Sequence, residues 1–146
     1  MPSVGESSVV ELEIPPGSAY VAIVRLAIAA LARGAGLGEE AVEEFKIALS
    51  EACTNAVLVH EESSIHEPVE VRWIEEADRL IVEVSDRGPA PELVKEADQF
   101  DSQGFSSRML MSRVLLSALA DGCEFLPRAG GGTVARLVLD RQRPSG

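Results

Sequence analysis

Val42, Phe45, Leu49, Ala52, Ala56 and Val59 recur at spacings of three and four. Residues at that period lie on one side of a helix, so a long helical stripe here is apolar and faces a core. The rest of the chain supplies strands. Val10, Leu12 and Ile14 alternate with Glu11 and Glu13. Val69, Val71 and Trp73 alternate with Glu70 and Arg72, and Leu80, Val82 and Val84 with Glu83 and Ser85. A period of two marks half-buried strands, and the polar turn over residues 75–79 joins the last two runs as an antiparallel hairpin.

Punctuation sets the remaining elements. Pro15-Pro16-Gly17 stops the first strand, and an apolar helix over residues 18–33 ends at Gly34 and Gly36. Gly38-Glu39-Glu40 opens the striped helix with acidic residues in its first turn, and the stripe runs out near His60. Residues 86–107 hold Gly88, Pro89 and Pro91, few apolar positions and no period, which predicts a long loop that is either a functional lid or disordered. A helix over 107–120, a short strand over 123–126, a flexible turn at Gly130-Gly131-Gly132 and a strand over 133–139 follow. The order β-α-α-β-β-lid-α-β-β lacks regular βαβ alternation. It predicts an α+β fold, a two-layer sandwich with helices on one face of a mixed, mainly antiparallel sheet. Residues 8–140 are expected to form a single domain, with flexible termini at 1–7 and 141–146.

Composition narrows the function. A chain of 146 residues, 46% of them hydrophobic, can bury a core without staples. The two cysteines, Cys53 and Cys123, make neither a disulfide framework nor a metal cluster and read as small apolar residues. A net charge of −11 repels phosphodiester backbones, which argues against direct nucleic-acid binding and suits a protein partner with a basic face. No basic n-region precedes an apolar stretch, and the run from Ala19 to Leu31 is interrupted by Arg25 and too short for a bilayer. The expectation is a cytoplasmic protein without a membrane segment.

Four places carry chemistry. Glu51 and Asn55 are four apart, stacked on one helical flank beside the stripe. A carboxylate there can hold or polarise a water or hydroxyl, and an amide oxygen is a hard ligand suited to Mg²⁺. Two ordinary polar residues on a helix flank would look the same. Asp86, at a strand end and followed by Gly88, can aim a carboxylate at an amino group such as that of adenine, or simply make a β-turn. Gly104, ahead of Ser106 and Ser107, sits where helical N–H groups can bind phosphate or where a serine caps the helix. Thr133, after three glycines, either borders the same pocket or only closes a turn.

Taken in order, S-E-A-C-T-N-A-V, V-S-D-R-G-P, a glycine before a helix and G-G-T-V resemble the Bergerat-fold ATPases, the superfamily of gyrase, Hsp90, histidine kinases and MutL. Within it the chain most resembles the anti-sigma-factor serine kinases, and residues 45–57 resemble their N-box helix. The resemblance implies Glu51 as catalytic base, Asn55 as Mg²⁺ ligand, Asp86 on the adenine amine and Gly88 allowing close approach. It further implies Gly104 in a phosphate-binding lid and Thr133 assisting at the adenine end. ATP and Mg²⁺ would be the cofactors. A sigma factor and a STAS-type anti-anti-sigma protein would be the partners, and a homodimer is among the states the family implies.

Ala90 stands where the family usually has a second glycine, and Gly104 is followed by Phe105-Ser106 rather than by x-Gly. A Cβ makes close backbone–phosphate contact harder. A non-catalytic, protein-binding regulator of the same fold with a degenerate nucleotide site is therefore the competing expectation. His60 and His66 receive no role and are expected at the solvated surface.

Overall fold

The structure, a computed structural model, describes residues 8–88 and 105–141, with residues 105–110 described by their backbone only. Of the predicted lid, residues 89–104, Ala90 and Gly104 among them, lie outside the described residues, as do residues 1–7 and 142–146; Asp86 ends β3, and the helix expected from 107 already begins at Phe105. Strand β1 spans Ser8–Ile14, and a single 3₁₀ turn at Ser18–Tyr20 leads into α1, Val21–Gly34. Helix α2 spans Glu39–Glu62, and β2 (Val69–Glu75) and β3 (Arg79–Asp86) form the expected hairpin. Helix α3 covers Phe105–Leu119, and β4 (Gly122–Pro127) and β5 (Thr133–Asp140) complete the chain.

The five strands form one sheet in the order β1-β2-β3-β5-β4, and all four pairings are antiparallel. Val69, Val71, Trp73, Leu80, Val82, Val84, Leu137 and Leu139 are buried beneath the helices. Against them α2 lays Val42, Phe45, Leu49, Ala52 and Ala56, the stripe read from the sequence. Val24, Ile28 and Ala32 of α1 and Leu116 of α3 close the core on either side of α2. Glu11, Arg72, Glu83, Arg136 and Glu124 stand opposite one another across five strands, a row of alternating charge. Arg72 pairs with Glu83 at 3.2 Å and with Glu11 at 3.9 Å. Opposite charges directly across a ladder support register.

Two boundaries moved. Helix α2 continues past His60 to Glu62, and Ser64, in the left-handed region at φ 55°, turns the chain so that Ile65 N–H donates to His60 O at 2.8 Å. Arg141, placed at the start of a loose tail, is held. Its guanidinium donates to Glu76 O at 2.7 Å and Ala35 O at 3.0 Å, tying the α1 end to the β2–β3 turn. Helix α1 carries more apolar residues than the core takes, and Ile23 and Leu26 are 59% and 67% exposed. Among the described residues no helix is long and apolar enough to cross a membrane.

Candidate functional site

The described predicted residues fall in two groups, Glu51 and Asn55 on α2 and Asp86, Gly88 and Thr133 at the end of β3 and the start of β5. Glu51 and Asn55 lie on the flank of α2 that meets α3, one turn apart. Asn55 is buried, and its Nδ2 donates to Ser112 Oγ of α3 at 2.8 Å. The Ser112 hydroxyl in turn donates to Glu51 Oε2 in a short hydrogen bond. Ser112, 2% exposed, thus links the candidate base to the candidate metal ligand. Its role was missed in the sequence. The available signal was its place four residues before Leu116, on the buried face of α3.

An amide whose nitrogen serves a serine has its oxygen, Oδ1, as the atom a Mg²⁺ ion would take. No group of three or more His, Cys, Asp or Glu among the described residues forms a metal cage. Beside Glu51 a groove of about 510 Å³ opens between α1 and α2, lined by Arg25, Lys46, Ile47, Ser50 and Thr54.

The second part of the site is the turn after β3. Asp86 Oδ1 accepts the Gly88 N–H at 2.8 Å, the local bond that an Asx turn makes. Burial raises the Asp86 carboxyl above its ordinary value, opposed chiefly by the backbone N–H bond from Gly88. Thr133 stands directly opposite Asp86 in the β3–β5 ladder. Two glycines shape this corner. A methyl group on Gly88 would run into the Val59 side chain of α2. Gly132, at φ +117°, lies against the Asp86 carbonyl and 2.8 Å from the Arg87 Cα measured from a built Cβ. Only glycine tolerates both that dihedral and that approach. The turn at 130–132, read as flexible, is fixed by Arg128 N–H to Gly132 O at 2.9 Å and Gly131 N–H to Arg128 O at 3.0 Å.

His60 corrects the sequence reading. It is fully buried rather than solvated. Its Nε2 accepts the Arg87 N–H at 2.9 Å, and its Nδ1 is 3.0 Å from Glu67 O. The end of β3 and the turn before β2 wrap over this end of α2 and exclude water from the ring. Gly104 lies outside the described residues, so the phosphate-facing wall is not part of this geometry.

The family model for the histidine kinase-like ATPase domain matches residues 14–139. The serine-protein kinase RsbW of Bacillus cereus (strain AH187) is 40% identical over 79 residues, covering 54% of this chain and 49% of that protein. RsbW of Bacillus pumilus (strain SAFR-032) is 41% identical over 81 residues, covering 54% and 50%. The matched stretch spans about half the length of these relatives. Among solved structures, the RsbU and RsbW domains of Rv1364c from Mycobacterium tuberculosis superpose with a TM-score of 0.67 at 19% identity, over 94% of this chain and 34% of that one. At that identity the likeness speaks for the fold.

Proposed function

The chain belongs to the histidine kinase-like ATPase domain family, and from that premise we propose that it is an anti-sigma factor of the serine-kinase type. In this reading it binds Mg-ATP between α2, α3 and the Asp86 turn, phosphorylates a serine of an anti-anti-sigma protein, and in its other state sequesters a sigma factor. Asp86 accepts a hydrogen bond from the adenine amine, with Thr133 beside it. Asn55 holds Mg²⁺, which supplies charge neutralisation on the phosphates.

The observation that carries the reading is the Ser112–Glu51–Asn55 linkage. A carboxylate that accepts a serine hydroxyl one helical turn from an amide metal ligand is the pairing that serine phosphorylation needs. The hydroxyl of the target serine would replace that of Ser112 on Glu51. Its oxygen attacks the γ-phosphorus, its proton passes to Glu51, and ADP leaves with the electrons of the broken P–O bond. Positioning and electrostatics do most of the work in such transfers. The groove between α1 and α2 gives the target loop a way to Glu51, and exposed Ile23 and Leu26 are the surface this reading assigns to protein contact.

The test is incubation with γ-labelled ATP, Mg²⁺ and a cognate anti-anti-sigma protein. Phosphoserine formed by the wild type and reduced about 10²–10⁴-fold in Glu51→Gln supports a general base. Retained sigma-factor binding without any label transfer would leave a protein-binding regulator and end the kinase reading.

A further inference from the structure

His60 is fully buried at the end of α2 and both ring nitrogens have backbone partners. A backbone amide can only donate, so Nε2, facing the Arg87 N–H at 2.9 Å, carries the lone pair. The proton is therefore on Nδ1 and is donated to Glu67 O at 3.0 Å. Because both partners are main-chain atoms, the bonds fix backbone rather than side chains. One of those backbones is the residue immediately after Asp86.

The same helix end grips the turn a second time. Val59, the neighbour of His60, lies against Gly88 so closely that no Cβ fits between them. Gly88 N–H closes back on Asp86 Oδ1 at 2.8 Å. Two successive residues of α2 thus hold two successive residues of the segment Asp86-Arg87-Gly88, one by a hydrogen bond and one by contact. The Asp86 side chain has χ freedom of its own. What aims it is the Arg87-Gly88 backbone that His60 and Val59 seat.

We propose that His60 is a positioning residue for purine recognition, holding the Arg87 amide so that the Asp86 carboxylate is fixed for an exocyclic amine. This rests on Asp86 reading adenine. At C6 adenine offers an amino donor, whereas guanine offers a carbonyl oxygen that a carboxylate held against that position repels. A seated turn therefore shows up as discrimination between ATP and GTP, and a released turn loses discrimination before it loses phosphate binding.

Two conservative variants separate the two bonds. His60→Gln can place an amide oxygen where Nε2 lies and keep the Arg87 bond. His60→Asn places its amide where Nδ1 lies, keeping Glu67 and losing Arg87. Dissociation constants for Mg-ATP and Mg-GTP are measured by calorimetry on the full chain, with unfolding temperatures recorded alongside. The expected result is an ATP:GTP preference kept in His60→Gln and lowered about tenfold in His60→Asn, the scale of one lost buried hydrogen bond. Asn and Gln variants with the wild-type preference, whatever their stabilities, would overturn the proposal and leave His60 a structural residue. If His60→Asn fails to fold, the Gln variant decides alone: loss of preference at wild-type stability would contradict the role of the retained bond. A wild type that binds neither nucleotide refutes the nucleotide site itself and this inference with it.

Discussion

Gly132→Ala tests how the candidate adenine corner is assembled, and Gly131→Ala is its built-in control. Both residues have positive φ, +107° at Gly131 and +117° at Gly132. Nothing lies within 4 Å of a Cβ added at Gly131, whereas one added at Gly132 meets the Asp86 carbonyl and the Arg87 Cα. Gly131→Ala therefore carries backbone strain alone, about 1–3 kcal/mol. Gly132→Ala carries similar strain plus the cost of forcing β5 away from the β3 end, for which overpacking gives about 1–3 kcal/mol. The difference between the variants, about 2 kcal/mol, corresponds to roughly 4–8 °C in unfolding temperature for a chain of this size. Calorimetric unfolding of the three proteins in one buffer measures it. Equal losses in the two variants would refute the close approach of Gly132 to the Asp86 backbone, and no loss in either would refute the turn conformation.

Asp86→Asn should separate stability from recognition. The carboxyl is raised by burial, so the folded state binds more protons than the unfolded state above the ordinary carboxylate value, and stability falls as pH rises through that window. Removing the charge should leave the nucleotide-free protein at least as stable at pH 7 as the wild type and flatten its acid-side pH dependence. Adenine recognition should be lost, and a variant that keeps wild-type ATP affinity contradicts the assignment. Burial pushes the Cys53 thiol up to about 12, while Cys123 is half-exposed and raised less by burial, with Arg113 opposing. A disulfide reagent at pH 8 should therefore modify Cys123 well before Cys53 in the folded protein, as mass spectrometry of timed samples would show. The reverse order would mean that the core around α2 opens.

Periodicity made the layers legible. The stripe from Val42 to Val59 and the alternating strand runs are local patterns, and those of α2, β2 and β3 reappear as buried faces, whereas in β1 only Ile14 is buried, Leu12 is half-buried and Val10 is exposed. Glu51, Asn55, Asp86 and Gly88 were legible as residues but not as a site, because spacing on one helix says nothing about what crosses it. Ser112 and His60 were hidden for the same reason. Ser112 reaches Glu51 across 61 residues of sequence, and Arg87 reaches His60 across 27. A histidine near a helix end reads as surface until a distant turn covers it. Its spacing did carry a signal: Leu49, Cys53, Ala56 and His60 follow one another at four, three and four, and all are buried. Gly132 was read as a flexible turn because a run of glycines shows conformational freedom and not the backbone it must accommodate.

The measurement that bears most directly on the account is calorimetric titration with ATP, with and without Mg²⁺, of the wild type, Asp86→Ala and Asn55→Ala. The account predicts saturable 1:1 binding by the wild type, loss of that binding in Asp86→Ala, and a Mg²⁺ dependence that disappears in Asn55→Ala. No saturable binding by the wild type, or Asp86→Ala and Asn55→Ala proteins that bind as the wild type does, would contradict it.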